Sequence, residues 1–493
     1  MKEALPPLEP ACEGHPQIVG VTDGVRTVLH RPCVHDQPVL EGAGEVDGAG
    51  VCIYGTVIRD GGTFRMWYQA WPKQKLETGD SALVACVESD DGMVWRRPRH
   101  GLMSWAGSRD NHLTDLPFHS PSVLIDPTAG PEARYRAFGC TGLRKQADLG
   151  QSFHLPVTAH YAYYSAHSAD GLHWTVDGPE AAWPWSDVIT GAWDPWAGHA
   201  LIALKCNGRS AGLRRRRFCT ATWSGGRPGE AVTALIPDEY DDQIARARGF
   251  ESADYYGVGL YPGPTVTIGF LWNFRHQAPL SSSARSGRWG GIGCVDISLV
   301  YQTERGGRWQ HLPGRPDWMA TGEMPGWASG ALYTAASPVE VGDETWLYFT
   351  GTPDRHGWAG VDVDREAFRR TQGSARIGLA RWPRGRLMGY ESNLRGIIRL
   401  EPHRDDGGAT RLVLNVAARS GGRVRAQLLD DRGEPLPGYT FEDCVPLTGD
   451  HPAAEIQWRT GSPGPGLQPD SVQIELENAT LYGFVFLSPG MVL

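Results

Sequence analysis

Four acidic residues, far apart along the chain, stand just before strand-like apolar runs. They are Asp47, Asp187, Asp254 and Glu323. Hydrolysis of a glycosidic bond needs two carboxyl groups flanking that bond, one protonated and one ionised. We therefore expect these side chains to supply acid/base chemistry in one pocket, provided that the fold brings the strand starts together. A solvated turn or a strand cap is the alternative for each of them.

Histidines and aromatic residues near the same runs are candidates for binding a ligand. His119 can bind a hydroxyl group, act as a base or help to hold a cation through water, with a hydrogen-bonded core position as the alternative. His276 and His356 each follow a strand-like run and stand next to an arginine. Flat rings can stack on a sugar or another flat ligand. The candidate rings are Trp193, Tyr255, Tyr256 and Trp327.

The elements that must position these residues are strands. Glycine (63) and proline (36) make up about a fifth of the 493 residues, whereas about 12% is usual. Runs of β-branched and aromatic residues bounded by Gly, Asp and Pro recur along most of the chain. Helical periodicity is confined to two short segments, 238–248 and 364–372. We predict an all-β protein with two short helices.

One hairpin type occurs five times, as an apolar strand with small residues, a turn and an aromatic strand. A second repeat, Ser-x-Asp-Gly-x-x-Trp, occurs at 89–95 and 168–174. Five similar hairpins predict a five-bladed β-propeller over residues 45–389, in which the residues before each copy lie at the mouth of the central channel. Residues 1–44 form an N-terminal segment with one incoming strand. Residues 390–493 alternate as expected of a C-terminal β-sandwich.

The hairpin IYGTVIRDGGTFRMWYQ, the turns SDDGMVW and SADGLHW and the segment HSPSVLIDP carry a family resemblance. With the terminal sandwich, they resemble the five-bladed β-propeller glycoside hydrolases of families 32, 43 and 68, and the uncharacterised bacterial glycosidase-like and sialidase-like proteins. The resemblance covers about residues 29–486. These motifs are structural, so they bear on the fold more directly than on the activity.

The resemblance implies a pocket with three carboxylates: a nucleophile or base, an acid, and a group that stabilises the transition state. The chain departs from that pattern at three places. The Trp-Met-Asn-Asp-Pro-Asn-Gly run of family 32 is absent, so Asp47 or Glu45 is the acidic candidate of the first blade. His119 stands where the second blade should have a carboxylate, and the Glu-Cys pair of the family 32 acid is missing near Asp187.

Other features exclude several classes of function. A net charge of -9 gives no reason to expect nucleic acid. The run Arg214–Arg217 is interpreted as a solvated strand start. No signal peptide and no membrane span is expected, and nine scattered cysteines without a CxxC pair favour reduced thiols in the cytoplasm. No cofactor or metal is expected, although the resemblance allows a structural calcium ion.

Two functions follow from these features. The first is an enzyme that acts on a glycoside or glycoside-like small molecule by carboxylate acid/base chemistry in the central pocket. The second is a repurposed propeller of a biosynthetic pathway that binds a small molecule or catalyses a non-hydrolytic step, such as cyclisation or isomerisation. A saccharide or another small molecule is the expected partner in both, and the sequence does not indicate an oligomeric state.

Overall fold

The computed structural model describes residues 8–72, 83–142, 160–185, 187–277, 291–358, 375–402, 411–461, 463, 467 and 469–487. Strands dominate this part of the chain, which confirms the prediction of an all-β protein. The α-helices there are α1 (Gly44–Asp47) and α2 (Glu239–Ala247), and the 3-10 helices are Pro131–Ala133, Thr321–Glu323 and Gly326–Ala328. Helix α2 confirms the helix predicted at 238–248, whereas the one predicted at 364–372 lies outside the described residues.

The strands fall into three groups along the chain. The N-terminal strands are β1 (Glu9–Pro10), β2 (Ile18–Val21), β3 (Val25–Leu29) and β4 (Cys33–Val34). The middle strands are β5 (Gly50–Asp60), β6 (Thr63–Trp71), β7 (Leu83–Ser89), β8 (His119–Ile125), β9 (Tyr135–Thr141), β10 (Ala162–Ser168), β11 (Thr175–Val176), β12 (Ile189–Asp194), β13 (His199–Ser210), β14 (Leu213–Ser224), β15 (Arg227–Pro228), β16 (Val232–Leu235), β17 (Ser252–Tyr261), β18 (Thr267–His276), β19 (Gly291–Gln302), β20 (Gln310–His311), β21 (Asp317–Met319), β22 (Ala331–Thr334), β23 (Val339–Val341), β24 (Glu344–Thr352), β25 (His356–Trp358) and β26 (Arg376–Pro383). The C-terminal strands are β27 (Met388–Ser392), β28 (Gly396–Leu400), β29 (Arg411–Leu429), β30 (Asp450–Glu455) and β31 (Ser471–Leu487).

The middle strands pair in antiparallel order within successive stretches of the chain. The orders are β5-β6-β7, β8-β9-β10-β11, β12-β13-β14-β15, β17-β18-β19 and β22-β24-β26-β4. One parallel contact, between Val295 and Ala331, joins the last two groups into a single hydrogen-bonded sheet. The N-terminal strand β4 pairs with β26, so the start of the chain completes the last group.

The first strands of the five groups, β5, β8, β12, β17 and β22, contact one another in cyclic order. We call this cycle the ring. Hydrogen bonds link each neighbouring pair in this cycle, and several of them use a serine or threonine hydroxyl. The bonds at β22 are made by Ala336, two residues beyond the end of that strand. The links are Val123 N to Thr56 Oγ1 (3.0 Å), Gly191 N to Ser122 Oγ (2.9 Å), Thr190 Oγ1 to Val258 O, Leu260 N to Ala336 O (2.7 Å) and Ala336 N to Gly55 O (2.9 Å).

Three ring strands are irregular near their starts. The pairing of β5 shifts register between Cys52 and Thr56, and that of β8 shifts between His119 and Ser122. The pairing of β17 shifts at Tyr256. Such bulges change the direction in which side chains project and are common next to active sites. The irregular positions therefore mark one end of the ring as the place to look for a site.

The C-terminal strands form a separate sheet of eight strands that includes the N-terminal strands β1, β2 and β3. Its two long strands, β29 and β31, pair along most of their length, and the register shifts between Ala418 and Arg423. Positive φ angles at Gly421 (76°) and Asn478 (46°) fall at this shift. The residues predicted as one N-terminal segment thus serve two sheets, while the predicted boundaries at 44 and 389 stay predictions.

The remaining features bear on the expected environment of the protein. All nine cysteines are free thiols, and all except Cys33 are buried. None of the helices in the described ranges has the length and apolar character needed to cross a membrane.

Candidate active site

Each of the five groups of strands contributes side chains to one cluster, which lies near the starts of the five strands of the ring. The contacts run from Tyr54 on β5 to His119 on β8, from Asp187 before β12 to Lys205 on β13, and on through β17 and β22. We call this set the central cluster. It consists of Tyr54, His119, Asp187, Lys205, Arg216, Asp254, Tyr256, Phe274, His276, Tyr333 and His356.

Asp187 is the most accessible carboxylate of the central cluster, with 36% of its side chain exposed. Its φ angle of 96° is rare for a residue with a side chain, and such strain is found mostly at functional positions. The thiol sulfur of Cys140 fixes this backbone, because the amide N–H of Asp187 donates to it over 2.8 Å. The strained conformation is therefore held from the neighbouring strand β9.

Asp187 contacts one histidine and one lysine. Nε2 of His119 lies 3.3 Å from Oδ1 of Asp187, and the His119 side chain is 20% exposed. The ammonium group of Lys205 forms an ion pair with the other carboxylate oxygen. A carboxylate between an imidazole and an ammonium group can accept a proton from either of them.

Lys205 is buried, with 8% of its side chain exposed. Its Nζ atom lies 4.4 Å from the centre of the Tyr256 ring, within the range of a cation–π contact. The guanidinium carbon of Arg216 lies 5.1 Å from the centre of the same ring. Burial and the charge of Arg216 lower the pKa of Lys205 well below its ordinary value.

Asp254 forms a second carboxylate–histidine pair, which is buried. Nε2 of His276 lies 3.0 Å from Oδ2 of Asp254, and a guanidinium nitrogen of Arg216 lies 3.6 Å from the same oxygen. Each carboxylate of the central cluster is thus matched by one cation and one histidine. The difference between the two sets is access to solvent, which Asp187 has and Asp254 lacks.

Aromatic rings fill the space between these polar groups. The ring of Tyr333 lies 5.3 Å from that of Tyr54 and 5.9 Å from that of Tyr256. The Tyr333 hydroxyl lies 2.6 Å from Nδ1 of His356. Burial, together with the charge of Arg216, lowers the pKa of His356 to about 3, so this imidazole is neutral near pH 7. Tyrosine hydroxyls and a neutral imidazole suit a ligand with hydroxyl groups.

The structure brings together six of the residues that the sequence singled out. These are His119, Asp187, Asp254, Tyr256, His276 and His356. Their catalytic and binding roles stay predictions. The other five lie in surroundings of their own.

Asp47 and Glu323 do not join the central cluster. Asp47 is fully buried and accepts hydrogen bonds from the Tyr68 hydroxyl (2.6 Å) and from Nε of Arg97 (3.0 Å). Burial raises the pKa of Asp47, but hydrogen bonds from His112 and Tyr68 outweigh it and lower the pKa. Glu323 is half exposed and forms an ion pair with Arg31.

Three predicted aromatic contacts also lie elsewhere. Tyr255 points to the other face of β17, where its hydroxyl donates to Asp241 over 2.8 Å. Trp193 is near the far end of β12 and packs against a core that includes Trp183. Trp327 stacks on Phe349 at a centroid distance of 5.7 Å. In all three, the ring serves packing between strands.

Sequence reasoning missed Tyr54, Lys205, Arg216, Phe274 and Tyr333. The interpretation of Arg214–Arg217 as a solvated strand start is wrong at its centre, since Arg215 and Arg216 are both buried. Arg215 forms an ion pair with Asp242, whereas Arg216 belongs to the central cluster. Alternate residues of a strand face opposite sides, so a run of four arginines could have been divided between two faces.

The part of the chain that the structure describes contains no group of three or more His, Cys, Asp or Glu side chains placed to hold a metal ion. The structural calcium ion that the resemblance allows stays untested, since calcium also takes backbone carbonyl and water oxygens as ligands, and no step of a reaction is derived through it. The expectation that no cofactor is needed stays untested.

No protein-family model matches the chain, and no curated protein matches it either. Solved structures that match include proteins described as a glycoside hydrolase and as a putative glycosidase. One match is an N-acetylgalactosamine deacetylase from F. plautii in complex with blood group B trisaccharide (13% identity, TM-score 0.42, covering 72% of this chain and 95% of that chain). Another is a beta-1,2-mannobiose phosphorylase from Listeria innocua (8% identity, TM-score 0.38, covering 73% of this chain and 96% of that chain). A third is a beta-fructofuranosidase from Bombyx mori (9% identity, TM-score 0.36, covering 93% of this chain and 95% of that chain). At TM-scores below 0.5, this likeness assigns neither a reaction nor a substrate.

Proposed function

We propose that the five groups of strands form a five-bladed β-propeller and that the terminal sheet folds over on itself as a β-sandwich. The cyclic hydrogen bonds among the five first strands support the propeller. The register shift of β29 and the core that contains Leu414 and Ile474 support the sandwich. On this proposal, the central cluster lies at the mouth of the propeller channel.

We propose further that the central cluster acts on a glycoside or glycoside-like small molecule by acid/base chemistry. One observation carries this proposal: Asp187 is strained and partly exposed, and its partners His119 and Lys205 contact the aromatic rings of Tyr54 and Tyr256. Asp187 is the proton acceptor or nucleophile, and His119 moves the proton to or from the leaving oxygen. Asp254, which Arg216 and His276 hold in place, stabilises positive charge that develops on the substrate.

A second candidate function is a non-hydrolytic step, such as an isomerisation or a cyclisation. A specific observation favours it: both carboxylates of the central cluster are paired with a cation. A cation beside a carboxylate favours its ionised form, whereas a glycosidase needs one carboxylic acid that stays protonated. Proton transfer between Asp187 and His119 needs no second acid, so it would also serve these reactions.

The test is turnover of a panel of nitrophenyl glycosides and oligosaccharides by the wild type and by Asp187→Asn and Asp254→Asn. We expect Asp187→Asn to lower kcat/KM by a factor of about 100 or more, which is the usual size of a lost acid/base group. Asp254→Asn should lower kcat/KM as well, because it leaves Arg216 without its carboxylate. The matched control is Asp90→Asn, in which the lost carboxylate is exposed and pairs with Arg96 on the surface.

Wild-type turnover in Asp187→Asn and Asp254→Asn, as in the control Asp90→Asn, would rule out the assignment of the site. If the wild type cleaves none of these glycosides but binds hydroxylated metabolites, and Asp187→Asn abolishes that binding, the non-hydrolytic function is supported. Glu323→Gln separates the sequence-based prediction from the structure. We expect it to retain full turnover, since its side chain pairs with Arg31 away from the central cluster.

A further inference from the structure

Lysine is scarce in this chain, and its single occurrence in the described residues is buried in the central cluster. Only five of the 47 basic residues are lysines: Lys2, Lys73, Lys75, Lys145 and Lys205. Arginine occupies the other positions, including ion pairs that are just as buried, such as Arg215 with Asp242. A lysine at position 205 is therefore an exception to the strong preference of this chain for arginine.

An amine can do what a guanidinium group cannot. Arginine stays protonated in proteins, whereas a buried lysine can give up its proton and become a nucleophile. The ion pair with Asp187 alone would be served equally well by arginine, which is the usual choice for buried pairs. The identity of residue 205 is explained better by a reaction at nitrogen than by charge alone.

The surroundings of Lys205 favour its neutral form. Its Nζ atom is close to the face of Tyr256 and near the cation Arg216, and a neighbouring cation with low solvent access is a known way to activate a lysine. The thiol of Cys140 and the carboxylate of Asp254 act in the opposite direction. Asp187, which is in direct contact with Nζ, can take the departing proton.

We propose that Lys205 is an amine nucleophile that forms an imine with an aldehyde or ketone bearing hydroxyl groups, bound in the central cluster. The open-chain form of a sugar is one member of this class. The proposal rests on the proposed function only in requiring that the central cluster admit a small hydroxylated molecule. It does not require that the molecule be a glycoside or that it be hydrolysed.

The step balances without any further reactant. The ammonium group of Lys205 transfers one proton to the Asp187 carboxylate and becomes an amine. The amine lone pair forms a bond to the carbonyl carbon, and the carbonyl oxygen takes the proton that Asp187 received, which gives a carbinolamine. The hydroxyl group then leaves as water, with the second proton of the nitrogen passed to it by way of Asp187. The third proton of the original ammonium group stays on nitrogen, so a protonated imine remains opposite the Asp187 carboxylate, and no oxidation or reduction has occurred.

The experiment traps the imine on the full-length protein with glyceraldehyde and sodium borohydride, and peptide mass mapping then locates the label. With four other lysines and the terminal amine as internal references, the map is simple to interpret. At pH 7 we expect Lys205 to be labelled at least about tenfold faster than these lysines, since each unit by which a lysine pKa falls increases the neutral amine about tenfold.

Two lysine variants and one aspartate variant make the result specific. Lys205→Arg keeps the ion pair with Asp187 and should abolish the labelling of the peptide that contains residue 205, while labelling elsewhere continues. Lys145→Arg is the matched control and should leave the labelling of Lys205 unchanged. Thermal unfolding of both variants shows whether the fold is retained. Asp187→Asn should slow the trapping at Lys205, because the acceptor of its proton is lost.

Labelling of Lys205 no faster than of the other lysines, in a protein with a wild-type unfolding transition, would overturn the proposal. This failure is distinct from that of the proposed function. Glycoside turnover reports on Asp187 and His119 whether or not Lys205 reacts, and trapping reports on Lys205 whether or not a glycoside is cleaved. Glycoside turnover without trapping at Lys205 would contradict only the imine proposal. Trapping at Lys205 without glycoside turnover would contradict only the proposed glycosidase activity.

Discussion

Ion pairs are frequent in this protein, so pairing alone does not identify its reactive groups. Asp242 and Arg215 are both buried, and Asp47 is buried against the partly exposed Arg97, so both pairs hold elements in place. Asp187 differs because it combines a positive φ angle, solvent access and a histidine neighbour. At the scale of single residues, it is this combination that separates a candidate acid/base group from a structural one.

His311 allows a test of how burial changes protonation at a distance from the central cluster. Its Nε2 atom lies 2.9 Å from the Tyr255 hydroxyl, and the neighbouring charges belong to Arg315, Asp238 and Asp241. Burial, with a smaller contribution from Arg315, lowers the pKa of His311 to about 3. In the unfolded chain the pKa of histidine is about 6.5. Between these values, the unfolded chain binds a proton that the folded chain does not.

Stability should therefore fall as the pH is lowered from 7 to 4. We expect His311→Gln, which keeps a hydrogen-bonding group, to lose about 3 kcal/mol less of its free energy of unfolding than the wild type over this range. Urea unfolding at pH 7 and pH 4 measures the difference. The control is His160→Gln, at an exposed position. If the free energy of unfolding of His311→Gln and of the wild type depended identically on pH, the pKa of His311 would be the same in the folded and the unfolded chain, which would contradict the prediction.

At the scale of elements, the bulges of β5, β8 and β17 direct the site. Gly55 lies within the bulge of β5, and its backbone is close to the backbones of both β6 and β8. A Cβ atom at position 55 would lie 2.2 Å from the carbonyl oxygen of Trp67 and 2.9 Å from that of Pro121. Both contacts are to backbone, which a change of side-chain rotamer cannot relieve.

Gly55→Ala should therefore destabilise the protein by on the order of 3 kcal/mol, because backbone must move to relieve the clash. Gly322→Ala is the matched control: no atom lies within 4 Å of the added methyl group. Denaturant unfolding of the two variants gives the comparison. A loss from Gly55→Ala no larger than that from Gly322→Ala would mean that the close approach of β5 and β8 is absent in solution.

The strands were predictable from the sequence, whereas the bulges were not. The alternation and turn residues of IYGTVIRDGGTFRMWYQ predicted a hairpin, and the structure has the paired strands Gly50–Asp60 and Thr63–Trp71 there. The same logic placed Asp187 and Asp254 at the starts of ring strands. It could not separate Tyr256 from Tyr255, since their faces depend on a register shift that long-range pairing decides. Tyr54, which lies inside the register shift of β5, was missed for the same reason.

At the scale of the whole molecule, the two ends of the chain are held by each other. β2 pairs with β28 and β3 with β27, while β1 pairs with β31. A boundary at 389 is visible in the sequence as a change of pattern, but the sequence does not show that the strands before residue 30 belong on the far side of it. Pairing across more than 350 residues has no local signal.

Residues 388–493 alone should therefore fail to fold cooperatively, because β27, β28 and β31 each lose one of their pairing strands. We expect co-expression with a peptide of residues 8–32 to restore a single thermal transition, which circular dichroism would detect. A peptide of the same composition in scrambled order is the control. A cooperative transition of residues 388–493 that the peptide does not change would show that the N-terminal strands are dispensable.

This joining of the ends has a consequence for synthesis on the ribosome. β2 and β3 emerge before their partners β28 and β27, which follow about 360 residues later. At 5–20 residues per second, the interval is about 20–70 s. During that time, β2, which carries Val19 and Val21, has exposed backbone edges that invite pairing with other nascent chains. The yield of native protein in cells should therefore depend on translation speed and on chaperones that shield the first 30 residues.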